Sequence, residues 1–131
     1  MIGHTKDRKR KKWNAAKAKR KLDALWSQIV HKRDKHCQIC GKADGVLNAH
    51  HVNSRSHIAT RWEVHNGVLL CFWCHTRVHN DPPWGIDHIK TRIGQELFDE
   101  LYQTAHRIKP FDRIFYEVKL VELERLNHEN I

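Results

Sequence analysis

The chain has 131 residues, 40% of them hydrophobic and 30% charged, with 24 Lys or Arg against 15 Asp or Glu and a formal net charge of +9. That length suits one domain with a modest core and leaves no expectation of a second full one. No apolar run approaches the roughly 20 residues of a membrane span, and no hydrophobic stretch follows the polar N-terminus as a signal peptide would, so the sequence reads as soluble and cytoplasmic, with no membrane partner.

The charge is concentrated at one end. Residues 1–36 hold 13 Lys or Arg and 3 Asp or Glu, a balance of +10 that leaves residues 37–131 at −1. Arg8, Lys9, Arg10, Lys11 and Lys12 form a basic run with nothing apolar to bury, so this arm is expected to be unfolded when free. From residue 13 to residue 32 the periodicity predicts a basic amphipathic helix, with Leu22, Leu25, Trp26, Ile29 and Val30 on one side and Lys17, Lys19, Arg20 and Lys21 mostly elsewhere. A block of this kind neutralises phosphates with counterion release, a sequence-independent and salt-sensitive attraction to DNA. A solubilising or targeting tail is the plainer alternative.

Residues 37–45 read as a metal knuckle whose turn is helped by Gly41 and Gly45. Residues 46–52 and 67–70 suit the two strands of a hairpin, joined by a polar loop at 53–66 whose length marks it as functional. Residues 72–80 predict a short helix that stops before Asp81-Pro82-Pro83. Ile93, Leu97, Leu101, Ala105 and Ile108 then form one helical stripe, with Phe98 and Tyr102 alongside, up to the break at Lys109-Pro110. Asp112 is a candidate N-cap for a last helix whose apolar side would be Phe115, Val118 and Leu126, with Val121 at its edge. Both helices are expected to pack against the small metal core. The expected class is α+β, a small ββα-metal, treble-clef-like zinc core at 37–80, preceded by the basic arm and helix at 1–36 and followed by a helical extension at 81–131.

Two ligand patterns interleave in the middle segment. Cys37-x-x-Cys40 and Cys71-x-x-Cys74 offer two sulfurs from each of two tight bends, the usual pattern for a four-cysteine structural zinc. Without an export signal, thiolates on Zn2+ are favoured over two disulfides. A redox dithiol would need only one such pair and a thioredoxin-like βαβ context, neither of which is present. Four sulfurs close the coordination sphere, so this metal should fold the domain. That leaves histidines over. His75 and His79 are four apart on a predicted helix and share a face, while the adjacent His50 and His51 point to opposite sides of a strand. One of that pair can join His75 and His79 around an ion while the other remains free to act as a base. His4, His31, His36, His88, His106 and His128 carry no such pattern and read as surface or packing residues. His57 and His65 lie in the predicted loop without a spacing argument.

The order Cys-x-x-Cys, His50-His51, Asn66, Cys-x-x-Cys-His75, x-x-x, His79 resembles the HNH endonucleases, or ββα-metal nucleases, in the four-cysteine form common in phage and bacterial genomes. The resemblance implies a metal-dependent endonuclease or nickase leaving 5′-phosphate and 3′-hydroxyl ends. It implies that His50 is the first metal ligand, His51 the general base and Asn66 the residue bracing the loop between the strands. His75 and His79 would complete the site for a divalent ion, with Mn2+, Mg2+, Zn2+ and Ni2+ as candidates. The loop here reads Thr60-Arg61-Trp62-Glu63-Val64-His65, where many relatives have glycines and an acidic residue. Arg55 and Arg77 are candidates for holding phosphates, whereas Arg61 reads better as a solvated surface charge. The competing reading is a zinc-stabilised DNA-binding module without catalysis, which would keep the cysteines and basic arm but has no use for His51. No heptad or other dimer signature sets an oligomeric state.

Overall fold

The computed structural model describes residues 12–107 and 111–129. Arg8, Lys9, Arg10 and Lys11 of the basic run, as well as Ile108 and the expected break at Lys109-Pro110, lie outside these residues.

The first helix, α1 (Ala15–Asp34), begins two residues later than the periodicity alone suggests because Asn14 caps it, its side chain accepting the Lys17 N–H at 3.1 Å. It ends where Lys35 turns left-handed at φ 66° and returns its N–H to the His31 carbonyl. Ala18, Leu22, Trp26, Ile29 and Val30 are its buried face. After the knuckle come β1 (Leu47–His51), a connection, and β2 (Gly67–Cys71), paired antiparallel from Leu47 opposite Cys71 to His51 opposite Gly67. The connection is more ordered than the polar loop expected: it holds a short helix α2 (Ile58–Arg61) and a 3-10 turn (Val64–Asn66), with Thr60 and Trp62 fully buried.

Every residue of β2 is buried, because helices cover both of its faces. Alternation along the strand therefore serves two cores. Leu69 enters one built with Leu22, Trp26, Ile29, Trp62, Tyr116 and Leu123. Val68 and Leu70 enter the other, with Cys37, Cys71, Cys74, Val78 and Ile89. Its outer edge is covered too, since the Leu69 N–H donates to the Asp34 carboxylate at 2.9 Å and the Leu69 carbonyl accepts the Gln38 N–H at 2.9 Å. Arg33 donates to the same carboxylate and to the carbonyls of Val64 and Gly67.

The next helix, α3 (Phe72–Asn80), has the predicted limits. The two prolines do more than end it. They occupy the first turn of a new helix, α4 (Pro82–Ile93), where no backbone donor is needed, and Asp81 caps it through the Trp84 N–H at 3.4 Å. The stripe expected as one helix from Ile93 onward is split at Gly94, whose φ of 93° ends α4 before α5 (Gln95–Ala105) starts. Asp112 caps α6 (Arg113–His128) as expected, accepting the Phe115 N–H at 3.1 Å.

Of the expected apolar side of α6, Phe115 and Leu126 pack on the first core, and Val118 and Val121 are corrected. Tyr116, Lys119 and Leu123 are the buried positions, while Val118 and Val121 are 59% and 70% exposed. The reason is Lys119, which periodicity counts as polar but which is buried on ion pairs to Glu63 and Glu122. Packing also differs between the two C-terminal helices: Phe98 of α5 lies against the cysteine-side core, whereas α6 lies along α1 and Trp62. The class is the mixed α+β arrangement expected, a two-stranded hairpin and following helix of the ββα-metal type set among other helices. Among the described residues no helix is long and apolar enough to cross a membrane.

Candidate metal centres

The first knuckle is closed by the Gly41 N–H donating to the Cys37 carbonyl at 2.9 Å, a bend that needs φ 82° at Gly41. The second forms where β2 runs into α3, Cys71 serving as the N-cap of the helix. Together they bring the four sulfurs within 4.8 Å of one another. Cys40 and Cys71 are 3.6 Å apart and all four cysteines are unbridged. Sulfurs bound tetrahedrally at ~2.3 Å stand about 3.8 Å apart, so the cluster has the size of a four-thiolate metal site. Burial works against ionising Cys37, yet backbone donors from Cys40, Cys71 and Ile39 bring its thiol down to about 6. The Cys74 thiol is pushed up by burial and by the neighbouring sulfurs. Four sulfurs this close can all carry negative charge only with a cation among them.

The histidine set forms between β1 and α3. His50 on β1 faces His75 and His79 on α3, with ring centroids 5.3 Å from each, and the three ligand nitrogens lie within 4.8 Å. Nε2 of His75 and Nε2 of His79 are 3.0 Å apart. Two imidazoles on one ion at ~2.1 Å place their nitrogens about 3.0 to 3.4 Å apart, from octahedral to tetrahedral angles, so this donor set also fits a metal. Burial, with the charges of His75 and His79 beside it, takes His50 down to about 3, and burial also lowers His75. Both shifts favour the neutral ring in His50 and His75, the state in which imidazole is a ligand.

Alternation on β1 sends His51 to the other side of the strand, where its ring stacks on Trp26 at 3.9 Å and 11°. It still borders the same cavity of about 450 Å³ as His50 and His79, with Ser54, Arg55 and Pro82. Burial brings His51 down to about 4, opposed by its bond to the Arg61 carbonyl at 3.1 Å. A carbonyl only accepts, so Nε2 of the neutral ring carries the hydrogen and Nδ1 carries the lone pair. Asn66 is fully buried, its Oδ1 accepting the Asn53 N–H at 2.9 Å and its Nδ2 donating to the Asn53 carbonyl at 3.1 Å. Its own carbonyl accepts the Val52 N–H at 2.8 Å, so Asn66 ties together the two ends of the connection between the strands.

The cationic candidates divide. Arg55 borders the cavity and reaches Asp23 at 3.4 Å. The Arg77 guanidinium lies over the Trp84 ring at 4.2 Å. Lys12, Lys17 and Arg20 are exposed at and beyond the start of α1. Arg61 is no solvated charge: its side chain is 11% exposed and bonded to Asp23 at 2.8 Å, because the ordered connection folds it under α1. His31, expected as a surface or packing residue, is of the second kind: it bonds the Ser27 and Leu47 carbonyls at 2.8 and 3.1 Å and joins α1 to β1. Sequence reasoning missed Asp23 altogether and took Trp26 only as core. The stripe of α1 revealed its buried side, but which side chains meet Asp23 and Trp26 depends on contacts from 25 to 39 residues away.

No curated protein and no solved structure matches the chain. With both donor sets on one knuckle, hairpin and helix, and His51 beside the second, residues 37–81 are similar to an HNH endonuclease domain: the family model of that description matches this stretch, roughly a third of the chain.

Proposed function

We propose that this protein is a metal-dependent DNA endonuclease or nickase, acting through the histidine centre, with Zn2+ held by Cys37, Cys40, Cys71 and Cys74 as a structural staple. A divalent ion held by His50, His75 and His79 would supply Lewis-acid stabilisation of the charge that builds on the scissile phosphate and its leaving 3′ oxygen. His51 takes the proton of the attacking water on Nδ1, the atom its bond to Arg61 leaves bare. Asn66 holds the strand ends that orient His51. Arg55 and Arg77 contact flanking phosphates, and the stack on Trp84 keeps the Arg77 plane in place with its edge donors available. Water attack at phosphorus with departure of the 3′ oxygen leaves a 5′ phosphate and a 3′ hydroxyl.

The match to an HNH endonuclease domain implies a nucleic acid substrate. The basic run from Arg8 to Lys12, with Lys17 and Arg20, supports a DNA backbone partner, bound without base specificity. In this reading residues 1–36 supply affinity, residues 37–80 the chemistry and residues 81–131 support, in the cytoplasm of a bacterial or phage-infected cell. One such centre cuts one strand at a time.

The observation that carries the proposal is that three imidazoles with ligand spacing share a cavity with a fourth whose tautomer is set. Supercoiled plasmid incubated with Mn2+, Mg2+, Zn2+ or Ni2+ tests it. The wild-type protein is expected to nick in at least one ion, and His51→Ala to lose at least ~100-fold in rate, within the range of general-base catalysis, with an unchanged thermal transition. Intact plasmid in every ion, with tight DNA binding, would instead establish a non-catalytic zinc-stabilised module.

A further inference from the structure

The segment carrying both metal centres does not hold its own base in place. The ring of His51 is fixed on one face and at one nitrogen, and both contacts lead back to α1. Trp26 stacks on the ring at 3.9 Å. The Arg61 carbonyl that receives Nε2–H belongs to a stretch gripped by Asp23, three residues before Trp26 and so on the same side of the helix.

Asp23 makes that grip with both oxygens. Its Oδ1 accepts from Nε of Arg61 at 3.1 Å and from the Trp62 indole at 2.8 Å. Its Oδ2 accepts from Nη2 of Arg61 at 2.8 Å and from Arg55 at 3.4 Å. One carboxylate therefore takes a forked bond from the residue whose carbonyl orients the base, a second bond from the next residue, and a contact from an arginine bordering the cavity. Trp26 completes the attachment by donating its indole N–H to the Glu63 carbonyl at 2.8 Å. A forked, charge-assisted pair is directional as well as strong, which is what holding a main-chain carbonyl in one place requires.

We infer that Asp23 is a positioning residue for the proposed nuclease centre: by clamping Arg61 and Trp62 from α1 it aims the Arg61 carbonyl at His51 and so fixes which ring nitrogen carries the lone pair. This rests on the proposed role of His51 as base, but the placement of Asp23 stands outside residues 37–81 and is a property of this chain's first helix. Without the clamp the connection between the strands would still close through Asn66, yet the carbonyl would no longer have a single orientation. The ring would then divide its time between two tautomers, only one of which presents Nδ1 as acceptor.

The test uses the full chain with its tightly bound metal, as wild type, Asp23→Asn, Asp23→Glu and Arg61→Met. An asparagine still accepts the Trp62 indole but replaces one oxygen with a donor that cannot meet a guanidinium. The ring nitrogen shifts of His51, assigned by comparison with His51→Gln, report the tautomer without any turnover. Wild type is expected wholly as Nε2–H, and Asp23→Asn and Arg61→Met as mixtures. Their kcat on supercoiled plasmid should fall about tenfold, part of the roughly 10²–10⁴ available to a general base, with KM within about twofold, and Asp23→Glu should recover much of it. Folded Asn and Met variants with an unaltered His51 tautomer or an unaltered kcat would overturn the inference. So would loss of the cooperative thermal transition in both, which would make the network a support of the fold. A wild-type protein that cuts no DNA in any ion would remove the nuclease proposal, and the ring shifts alone would then decide whether Asp23 orients His51.

Discussion

At the scale of single residues, the positions that matter are those where a neighbour leaves no freedom. Gly67 begins β2 directly beneath α1, and a Cβ there would lie 2.5 Å from Cγ2 of Val30 and 2.7 Å from the Trp26 ring. Its φ of −112° suits any residue, so the constraint is space and not backbone conformation. Gly67→Ala must move α1, and with it the ring stacked on His51. Overpacking of this kind costs about 1 to 3 kcal/mol. The expected result is a thermal midpoint lowered by several degrees together with reduced nicking, and calorimetry on the two proteins checks it. An unchanged midpoint would mean α1 has slack that the contacts do not show. His50 and His51 were legible as an opposed pair from strand alternation alone. Arg61 was not, because nothing local distinguishes an arginine that meets Asp23 38 residues earlier from one that meets water.

At the scale of elements, periodicity located α1 and α6 and chose the buried side of the first but not of the second. In α6, Ile114, Val118 and Val121 repeat at helical spacing and are all exposed, while the face that packs is Tyr116, Lys119 and Leu123. Hydrophobicity cannot find a buried lysine whose partner, Glu63, lies in a different element. The asymmetry predicts that Leu123→Ala costs about 2 to 5 kcal/mol, as deletion of a buried leucine does, whereas Val118→Ala stays within about 0.5 kcal/mol. Urea denaturation of the pair measures both, and equal losses would contradict the packing of α6 on α1. The knuckles behave differently, because their order comes from sulfur spacing and two bends. Cys71 is at once a member of the sulfur cluster, the last residue of β2 and the N-cap of α3. Cys71→Ala, or a strong chelator acting on the wild type, should abolish the cooperative thermal transition and much of the far-UV helical signal. A retained transition after either treatment would sink the structural role given to this metal.

At the scale of the whole molecule, the spacing of cysteines and histidines made the centre legible, and the support around it was hidden. Four features of that support come from α1: the buried Leu22 and Trp26, the Asp23 grip on the connection, the Asp34 carboxylate on the edge of β2, and the His31 bond to β1. In the sequence α1 is most conspicuous for its charge, which makes it look like an appendage for binding DNA. Its two sides do two jobs, and truncation separates them. Removing residues 1–11 takes away 5 Lys or Arg and 1 Asp, a net charge of +4. That protein should keep its thermal midpoint and its nicking rate at low salt. Its DNA affinity should fall less steeply with added salt, since each lost phosphate contact lowers the slope of log K against log salt by about 0.9. Removing residues 1–36 also strips the partners of Trp62, Leu69, Tyr116 and Leu123 from the first core. The remainder is expected to lack a cooperative transition even with zinc present, because β2 would lose one of the two layers that bury it. A stable, zinc-loaded fragment starting at residue 37 that still nicked plasmid would show that the rest of the chain folds and cuts without α1, and that α1 serves for DNA affinity alone.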